Sequence, residues 1–225
     1  MNREAINAFI FDMDGLLLDT EAVYERAWIK AADMWKLAGI DTVHRSVYGF
    51  SEYDTLLVLK KNYGNGFDAK GFWDLTTDIA LDMMKESGVP EKAFARETLL
   101  FLKEKSCPLA VASSSSRGLV SHLLEKAGML DLFDVIVCGD EIERAKPDPQ
   151  IYLTACKKLG LNPCECAAVE DSPNGILSAY NAGLKCIMIP DRVPADDDIK
   201  KCLWKLYVNL GELKNLFEHE CHFHR

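Results

Sequence analysis

Apolar and polar residues alternate with two different spacings along this chain. From about residue 97 onward, short apolar runs alternate with segments whose apolar residues recur every three or four positions. The runs predict buried β-strands, and the periodic segments predict amphipathic helices. The predicted strands are "PLAVAS", "FDVIVCGD", "CAAVED" and "KCIMIPD". This alternation favours parallel strands joined by right-handed crossovers, so it predicts an α/β fold with a doubly wound parallel sheet and helices on both faces.

The first apolar run, residues 8–11, does not follow this regular alternation. Roughly 100 residues separate it from "PLAVAS", far more than the dozen or so that a crossover connection needs. They carry three helical patterns that end at glycine and no convincing strand. We therefore predict a small all-helical domain, residues 19–90, inserted into a core domain formed by residues 1–18 and 91–225. Insertion after the first strand places these helices over the carboxyl edge of the sheet, where open α/β folds bind ligands.

Size, apolar content and charge exclude several classes of protein. The chain has 225 residues, 48% of them hydrophobic, and can bury the core of one domain that carries a smaller one. No apolar run approaches the roughly 18 residues of a membrane helix, and the N-terminus lacks the pattern of a signal peptide. A net charge of −9 without a basic cluster argues against binding to nucleic acid. We expect a cytoplasmic protein, monomeric, with neither membrane nor nucleic acid as a partner.

The eight cysteines favour neither a disulfide framework nor a zinc site. They form no C-x-x-C pair, and several fall inside apolar runs, where cysteine acts as a small hydrophobic residue. Reduced thiols are the expected state. The tail "HECHFHR" contains His219, Cys221, His222 and His224, which are ligands for transition metals, and a terminus without function is the simpler interpretation.

Polar side chains follow four of the predicted strands, at the point where each strand ends. They are Asp12 and Asp14 after the first run, Ser113 to Ser116 after "PLAVA", Lys146 after "VIVCGD", and Glu170 and Asp171 after "AAV". Each group alone is an ordinary turn or helix cap. Because parallel strands end at one edge of the sheet, the four groups together predict a shared pocket.

The charges in this pocket predict a divalent cation. About four carboxylates near one another raise each other's pKa values unless a cation offsets them, and a single lysine is not enough. The available ligands are hard oxygens, which favour Mg²⁺ over zinc or copper. Mg²⁺ is usually completed by a phosphate oxygen, so the pocket favours a phosphorylated substrate.

Four segments resemble the motifs of the haloacid dehalogenase superfamily. They are "FDMDGLLLDTE", "AVASSSS", "AKPDPQIY" and "VEDSPNGILSAYNAG", and together they span residues 9–183. The insertion point resembles that of the subgroup with a helical cap after the first motif, which includes β-phosphoglucomutase and many sugar-phosphate and nucleotide phosphatases. The resemblance implies a Rossmann-like core, a helical cap and phosphoryl transfer.

The resemblance also implies a role for each residue at the strand ends. Asp12 would attack phosphorus and become an aspartyl phosphate, and Asp14 would protonate the leaving oxygen and then deprotonate water. Ser113 and Lys146 would hold the phosphoryl oxygens. The Mg²⁺ ligands would be Asp12, the backbone carbonyl of Asp14, and Asp171, with Glu170 beside them.

Elementary chemistry agrees with these roles. A carboxylate is ionised at neutral pH and needs no base to act as a nucleophile. Gly15 allows the backbone to turn after Asp14. Hydroxyl and amide donors of Ser113 and Ser114 suit a phosphate at a strand-to-helix junction. Members of the superfamily that release halide lack an acid at the second position, so the presence of Asp14 favours phosphoryl transfer.

The helical segment is expected to supply substrate contacts and specificity. We predict that Thr20, Glu21, Tyr24, Glu52 and Tyr53 face the pocket. In the pattern of β-phosphoglucomutase, a histidine and an arginine stand at the positions of Tyr24 and Glu52. Without that arginine a second phosphate lacks its partner, so a phosphatase is favoured over a mutase.

Two further alternatives stay open from the sequence. A receiver-type signalling module also forms an aspartyl phosphate on a parallel sheet, although it is about half as long and lacks a helical insert. An inactive relative that serves as a scaffold is disfavoured because no motif residue is missing. We therefore predict a Mg²⁺-dependent phosphatase for a small phosphorylated metabolite, such as a sugar phosphate or a nucleoside monophosphate.

Overall fold

A parallel β-sheet forms the centre of the structure, a computed structural model that describes residues 6–220 and the side chains of residues 6–216. Its strands are β1 (Ala8–Phe11), β2 (Leu109–Ser113), β3 (Val135–Cys138), β4 (Cys166–Glu170), β5 (Lys185–Met188) and β6 (Lys205–Leu206). The order across the sheet is β3-β2-β1-β4-β5-β6, and every pairing is parallel. The predicted α/β fold with a doubly wound parallel sheet is confirmed.

Ten α-helices are described between and beyond these strands. They are α1 (Thr20–Trp35), α2 (Ile40–Arg45), α3 (Glu52–Tyr63), α4 (Ala69–Ser87), α5 (Ala95–Glu104), α6 (Arg117–Lys126), α7 (Gln150–Leu159), α8 (Pro173–Ala182), α9 (Asp197–Cys202) and α10 (Glu212–Glu220). In the described part of the chain, no helix is both long and apolar enough to span a bilayer.

The first strand lies at the middle of the sheet because its residues are apolar on both faces. All four residues of β1 are fully buried. Phe9 and Phe11 face one hydrophobic cluster, and Ala8 and Ile10 face the other. The sequence of such a strand is a continuous apolar run, because helices cover both faces of a parallel sheet. Since β1 pairs with β2 and β4, Asp12 at its end is placed between the ends of two neighbouring strands.

Helices α1 to α4, here called the cap helices, lie between β1 and α5. Ser51 and Asp68 begin α3 and α4 by accepting hydrogen bonds from the backbone at Asp54 and Gly71. The longest two helices of the cap, α1 and α4, pack against each other, and the ring of Trp28 meets Phe72 edge-on at 5.4 Å. Residues of both helices belong to the hydrophobic cluster that also contains Phe9 and Phe11 of β1.

Two connections join the cap helices to the sheet, and they run side by side. Leu18 and Glu91 form an antiparallel bridge. The amide of Asp19 donates to the carbonyl of Pro90 at 2.8 Å, and the amide of Lys92 donates to that of Leu17 at 2.9 Å. The limits 19–90 for an inserted domain stay a prediction, since these bonds locate the connections without defining a domain.

Several elements had no counterpart in the predicted pattern. Helix α2 has only six residues, and the segments after β5 form the short strand β6 with helices α9 and α10. Elements this short give few repeats of a helical or strand pattern, so periodicity does not detect them. The side chains of the His- and Cys-rich tail lie outside the described residues.

Adjacent leucines on α5 test the packing of the hydrophobic core. Leu99 is fully buried and Leu100 is 45% exposed. We expect Leu99→Ala to lower the free energy of unfolding by about 2–5 kcal/mol, because it leaves a cavity. Leu100→Ala is the matched control and should change it by about 0.5 kcal/mol. Urea denaturation measures both, and equal losses would contradict the packing described here.

Candidate active site

A cavity of about 660 Å³ lies between the carboxyl edge of the sheet and the cap helices. The sheet side contributes the ends of β1, β2 and β4 and the loops that follow β3 and β5. The residues on that side include Asp12, Asp14, Ser114, Ser115, Lys146, Asp171 and Arg192. A concave pocket with convergent polar groups at this edge is where an open α/β fold places its ligand.

Lys146 is the electrostatic centre of the site. Its buried ammonium donates to Asp12 Oδ1 at 2.5 Å, to Glu170 Oε1 at 2.6 Å and to the carbonyl oxygen of Ala112 at 2.8 Å. All three donors of the ammonium are therefore used. These bonds tie the ends of β1, β2 and β4 together through one side chain.

Glu170 is held from several directions at once. It is fully buried, and the Tyr152 hydroxyl donates to its Oε1 at 2.6 Å. Its Oε2 accepts from the amide of Asp171 at 3.3 Å and from Ser172 Oγ at 3.4 Å. A Cβ on Gly175 would lie about 2.0 Å from this carboxylate, so only glycine allows α8 to approach it. Sequence analysis did not assign a role to Tyr152, because an apolar position within a predicted helix indicates only a place in the core.

Asp14 is oriented by hydroxyl groups from both sides of the cavity. Thr20, the first residue of the cap helices, donates to Asp14 Oδ1 at 2.8 Å. Ser115 and Ser113 donate to Oδ2 at 2.9 and 3.3 Å. The carboxylate is half-buried and lines the cavity. This arrangement fixes one acid at the boundary between the sheet and the cap.

Three carboxylates lie close enough to hold one metal ion. Oxygen atoms of Asp12, Glu170 and Asp171 all lie within 4.8 Å of one another. Burial raises the pKa of Asp12 to about 8 against the opposing effect of Lys146, with further increases from Glu170 and Asp14. Burial, followed by repulsion from Asp12 and Glu170, raises the pKa of Asp171 well above its usual value. The positive charge of Lys146 does not balance these groups, so the oxygen-only set fits a hard divalent cation.

Gly15 makes room for this arrangement. Its φ of +79° lies in the left-handed region, and a Cβ there would meet Asp171 Oδ2 at 2.4 Å. Glycine is therefore required both by the turn and by the approach of the Asp171 carboxylate.

The serine segment after β2 divides into buried and exposed parts. Ser113 is fully buried, contacts Asp14 and accepts from the amide of Ser115 at 3.1 Å. Ser114, Ser115 and Ser116 line the cavity instead, directly before α6. A direct contact between Ser113 and a substrate stays a prediction. Ser115, which belongs to the serine run predicted to lie at this strand end, is the serine that both lines the cavity and donates to Asp14.

Four of the predicted cap residues line the cavity and one does not. Thr20, Glu21, Tyr24 and Glu52 lie on its wall. Burial, with repulsion from Asp14 and Asp191, raises the pKa of Glu21 to about 7. The prediction for Tyr53 is wrong, because its side chain is 70% exposed and lies outside the cavity wall. It occupies the second position of α3, and the helix turns it toward solvent.

A column of rings that the sequence did not predict runs along the cavity wall. The rings of Trp28 and His44 lie 4.7 Å apart, and those of His44 and Tyr48 lie 5.1 Å apart. The guanidinium of Arg192 lies 5.9 Å from the Tyr48 ring. Burial, aided by Arg192, lowers the pKa of His44 to about 4, so its imidazole is neutral near pH 7. The column connects α1 to the loop after β5.

Comparison with known proteins extends over most of the chain. A family model described as haloacid dehalogenase-like hydrolase matches residues 6–183. The phosphorylated carbohydrates phosphatase of Thermotoga maritima is 33% identical over 185 residues, covering 81% of this chain and 84% of that protein. Hexitol phosphatase B of Escherichia coli is 30% identical over 194 residues, covering 82% and 84%. The crystal structure of a candidate beta-phosphoglucomutase from Thermotoga maritima matches with a TM-score of 0.77 at 28% identity, over 95% of this chain and 99% of the other.

The raised pKa values predict how metal-free protein responds to pH. The folded protein keeps protons on Asp12 and Asp171 that the unfolded chain releases above pH ~4, so ionisation destabilises the fold as pH rises toward 8. In EDTA, Asp12→Asn should gain roughly 1–3 kcal/mol of stability relative to the parent between pH 5.5 and pH 8.

Urea denaturation at the two pH values measures this difference. Asp78→Asn, an exposed position on α4, is the control and should follow the parent at both. Adding Mg²⁺ at pH 8 should stabilise the parent more than Asp12→Asn. A stability difference that does not change with pH would contradict the description of Asp12.

Proposed function

The chain belongs to the haloacid dehalogenase-like hydrolase family, and we propose that it is a Mg²⁺-dependent phosphatase that hydrolyses a small sugar or polyol phosphate through a phosphorylated Asp12. Membership confirms the resemblance seen in the four motifs. Together with the phosphatases among the relatives, it also confirms the expected enzyme class, a phosphoric monoester hydrolase. The receiver-type module is excluded by the same findings.

One observation carries the proposal. Asp12 stands at the end of the central strand, in contact with Lys146, beside Asp171 and facing the same cavity as Asp14. A nucleophile, a positively charged group, a cation site and an acid thus converge in one enclosed space. Phosphoryl transfer needs this combination because positioning and charge stabilisation supply most of its catalysis.

The reaction takes place in two displacements at phosphorus. A carboxylate oxygen of Asp12 forms a bond to phosphorus while the bond to the ester oxygen breaks, and Asp14 gives its proton to that leaving oxygen. Asp14, now ionised, then takes a proton from the water that attacks the aspartyl phosphate. Inorganic phosphate leaves, and Asp12 is regenerated. The hydroxyls of Thr20 and Ser115 hold Asp14 in the position that both transfers need.

Positive charge and hydrogen-bond donors hold the phosphoryl group. Lys146 and the serines before α6 face it, and the N-terminal end of a helix favours an anion. Asp12, Asp171 and the backbone carbonyl of Asp14 would hold Mg²⁺, with Glu170 beside them. When bound, the ion offsets negative charge on these carboxylates and on the phosphoryl oxygens.

The organic part of the substrate occupies the cap side of the cavity. Tyr24, Glu21 and Glu52 lie on that wall, and the cap helices exclude bulk water from the reacting groups. The names of the two phosphatase relatives, one for phosphorylated carbohydrates and one for hexitols, support a sugar or polyol phosphate over a nucleoside monophosphate.

A screen of phosphorylated metabolites tests the proposal. With Mg²⁺ we expect release of inorganic phosphate from sugar and polyol phosphates. EDTA should abolish it, and Asp12→Asn should lower it by at least about 10³-fold, because the nucleophile is lost. Hydrolysis that persists in Asp12→Asn would rule out the covalent mechanism.

Asp14→Asn tests the assignment of the acid. For a polyol phosphate, loss of general acid catalysis should lower kcat by about 10²–10⁴-fold. With p-nitrophenyl phosphate the leaving group needs no proton, so the first displacement continues while attack by water is slowed. Acid-quenched Asp14→Asn should then carry phosphate on Asp12.

Asp33→Asn, exposed on α1, is the control for this experiment and should carry no trapped phosphate. Equal losses of kcat for the two esters, with no trapped phosphoenzyme, would remove Asp14 from this role.

A further inference from the structure

Every lysine and arginine on the described wall of the cavity is shared between two carboxylates. The sets are Lys146 with Asp12 and Glu170, Arg192 with Asp191 and Glu25, and Lys70 with Glu52 and Asp74. Lys146 is assigned to the transferred phosphoryl group, so only Arg192 and Lys70 in this part of the chain could meet a second anionic group of a substrate, and the charge of each is offset by two carboxylates.

The set around Lys70 lies on helices α3 and α4, on the cap side of the cavity. Lys70 is in the first turn of α4, and its ammonium lies 3.2 Å from Glu52 Oε1, at the start of α3. It also pairs with Asp74, one turn further along α4. One positive and two negative charges leave this set with a net charge of −1. Without the two acids, the same ammonium would be an anion site.

The remaining groups on the cap side suit an uncharged organic part. Tyr24, Thr55 and Thr77 bring hydroxyls to the wall, and Tyr48 and Trp73 bring flat aromatic faces. Hydroxyls exchange hydrogen bonds with the hydroxyls of a sugar or polyol, and the ring faces pack against its C–H groups. A carboxylate or a second phosphate in the same space would lose its hydration and meet a negative wall.

We propose that Glu52 and Asp74, by neutralising Lys70, restrict the cavity to phosphate monoesters whose organic part is uncharged and exclude esters that carry a second anionic group. The proposal rests on the function proposed above, in which Asp12 and Lys146 take the phosphoryl group that is transferred. Specificity thus depends on repulsion of anionic groups by Glu52 and Asp74 as much as on attraction of uncharged groups by the hydroxyls and aromatic rings.

Two esters that differ at one carbon test this selectivity. Sorbitol 6-phosphate ends in a hydroxymethyl group where 6-phosphogluconate ends in a carboxylate. Each is measured as a competitive inhibitor of Mg²⁺-dependent p-nitrophenyl phosphate hydrolysis, which gives an inhibition constant whether or not the ester is turned over. We expect the parent protein to bind sorbitol 6-phosphate at least about tenfold more tightly.

The double variant Glu52→Gln/Asp74→Asn should reverse the net charge of the set around Lys70 from −1 to +1. Its affinity for 6-phosphogluconate should rise by about tenfold or more, a gain that misfolding does not produce. Adding Lys70→Met to this variant should remove the gain. The control Asp78→Asn/Asp82→Asn makes the same change in net charge at two exposed positions on α4, outside the cavity wall, and should leave both inhibition constants unchanged.

The possible results separate this inference from the function on which it rests. Equal inhibition by the two esters in the parent, or no gain for 6-phosphogluconate in the double variant, overturns the inference while p-nitrophenyl phosphate hydrolysis stands. A gain that survives Lys70→Met also overturns it, because the lysine would then not be the anion site. Absence of Mg²⁺-dependent hydrolysis overturns the proposed function and the inference with it.

Discussion

One buried ammonium holds together the strand ends that form the site. Lys146 bonds to Asp12, Glu170 and the carbonyl of Ala112, which belong to or follow three neighbouring strands. Burying these charges is unfavourable in itself, and removing one partner would leave the others uncompensated. The fully buried strands β1, β2 and β4 supply the apolar packing that offsets this. Stability in the sheet and instability at its edge are thus parts of one arrangement, in which the proposed cation would offset the excess negative charge.

The cap helices and the reacting groups are not independent of each other. Thr20 begins α1 and at the same time donates to Asp14, so the entry of the chain into the cap sets the direction of the acid. The return connection is tied to the entry by the Leu18–Glu91 bridge, and Lys92 bonds to Asp191 at 2.7 Å in the loop after β5. Movement of the cap relative to the sheet would therefore act on Asp14 before it acts on Asp12 or Lys146.

The sequence was sufficient for the parts of the molecule that local pattern and motif order determine. Strand ends with Asp12, Lys146 and Asp171 could be predicted to converge because parallel strands end at one edge. Contacts that depend on packing between distant elements could not be predicted in this way. Tyr152 on α7 donates to Glu170 at the end of β4. His44 lies in a helix of six residues, which is too short to show a helical period. The wrong prediction for Tyr53 has a related cause. Its position next to Glu52 in the chain does not determine whether its side chain on α3 faces the cavity or the solvent.

The two ends of the cavity differ in exposure to solvent. Lys146 and Glu170 are buried, whereas the side chains of Lys70, Glu52 and Asp74 are 57%, 46% and 56% exposed. Dissolved ions screen exposed charges over about 8 Å at physiological ionic strength and reach buried pairs far less. At high ionic strength, therefore, the proposed phosphoryl transfer at the sheet would continue, while the proposed discrimination between charged and uncharged substrates at the cap would weaken. An enzyme of this design would be most selective at low ionic strength.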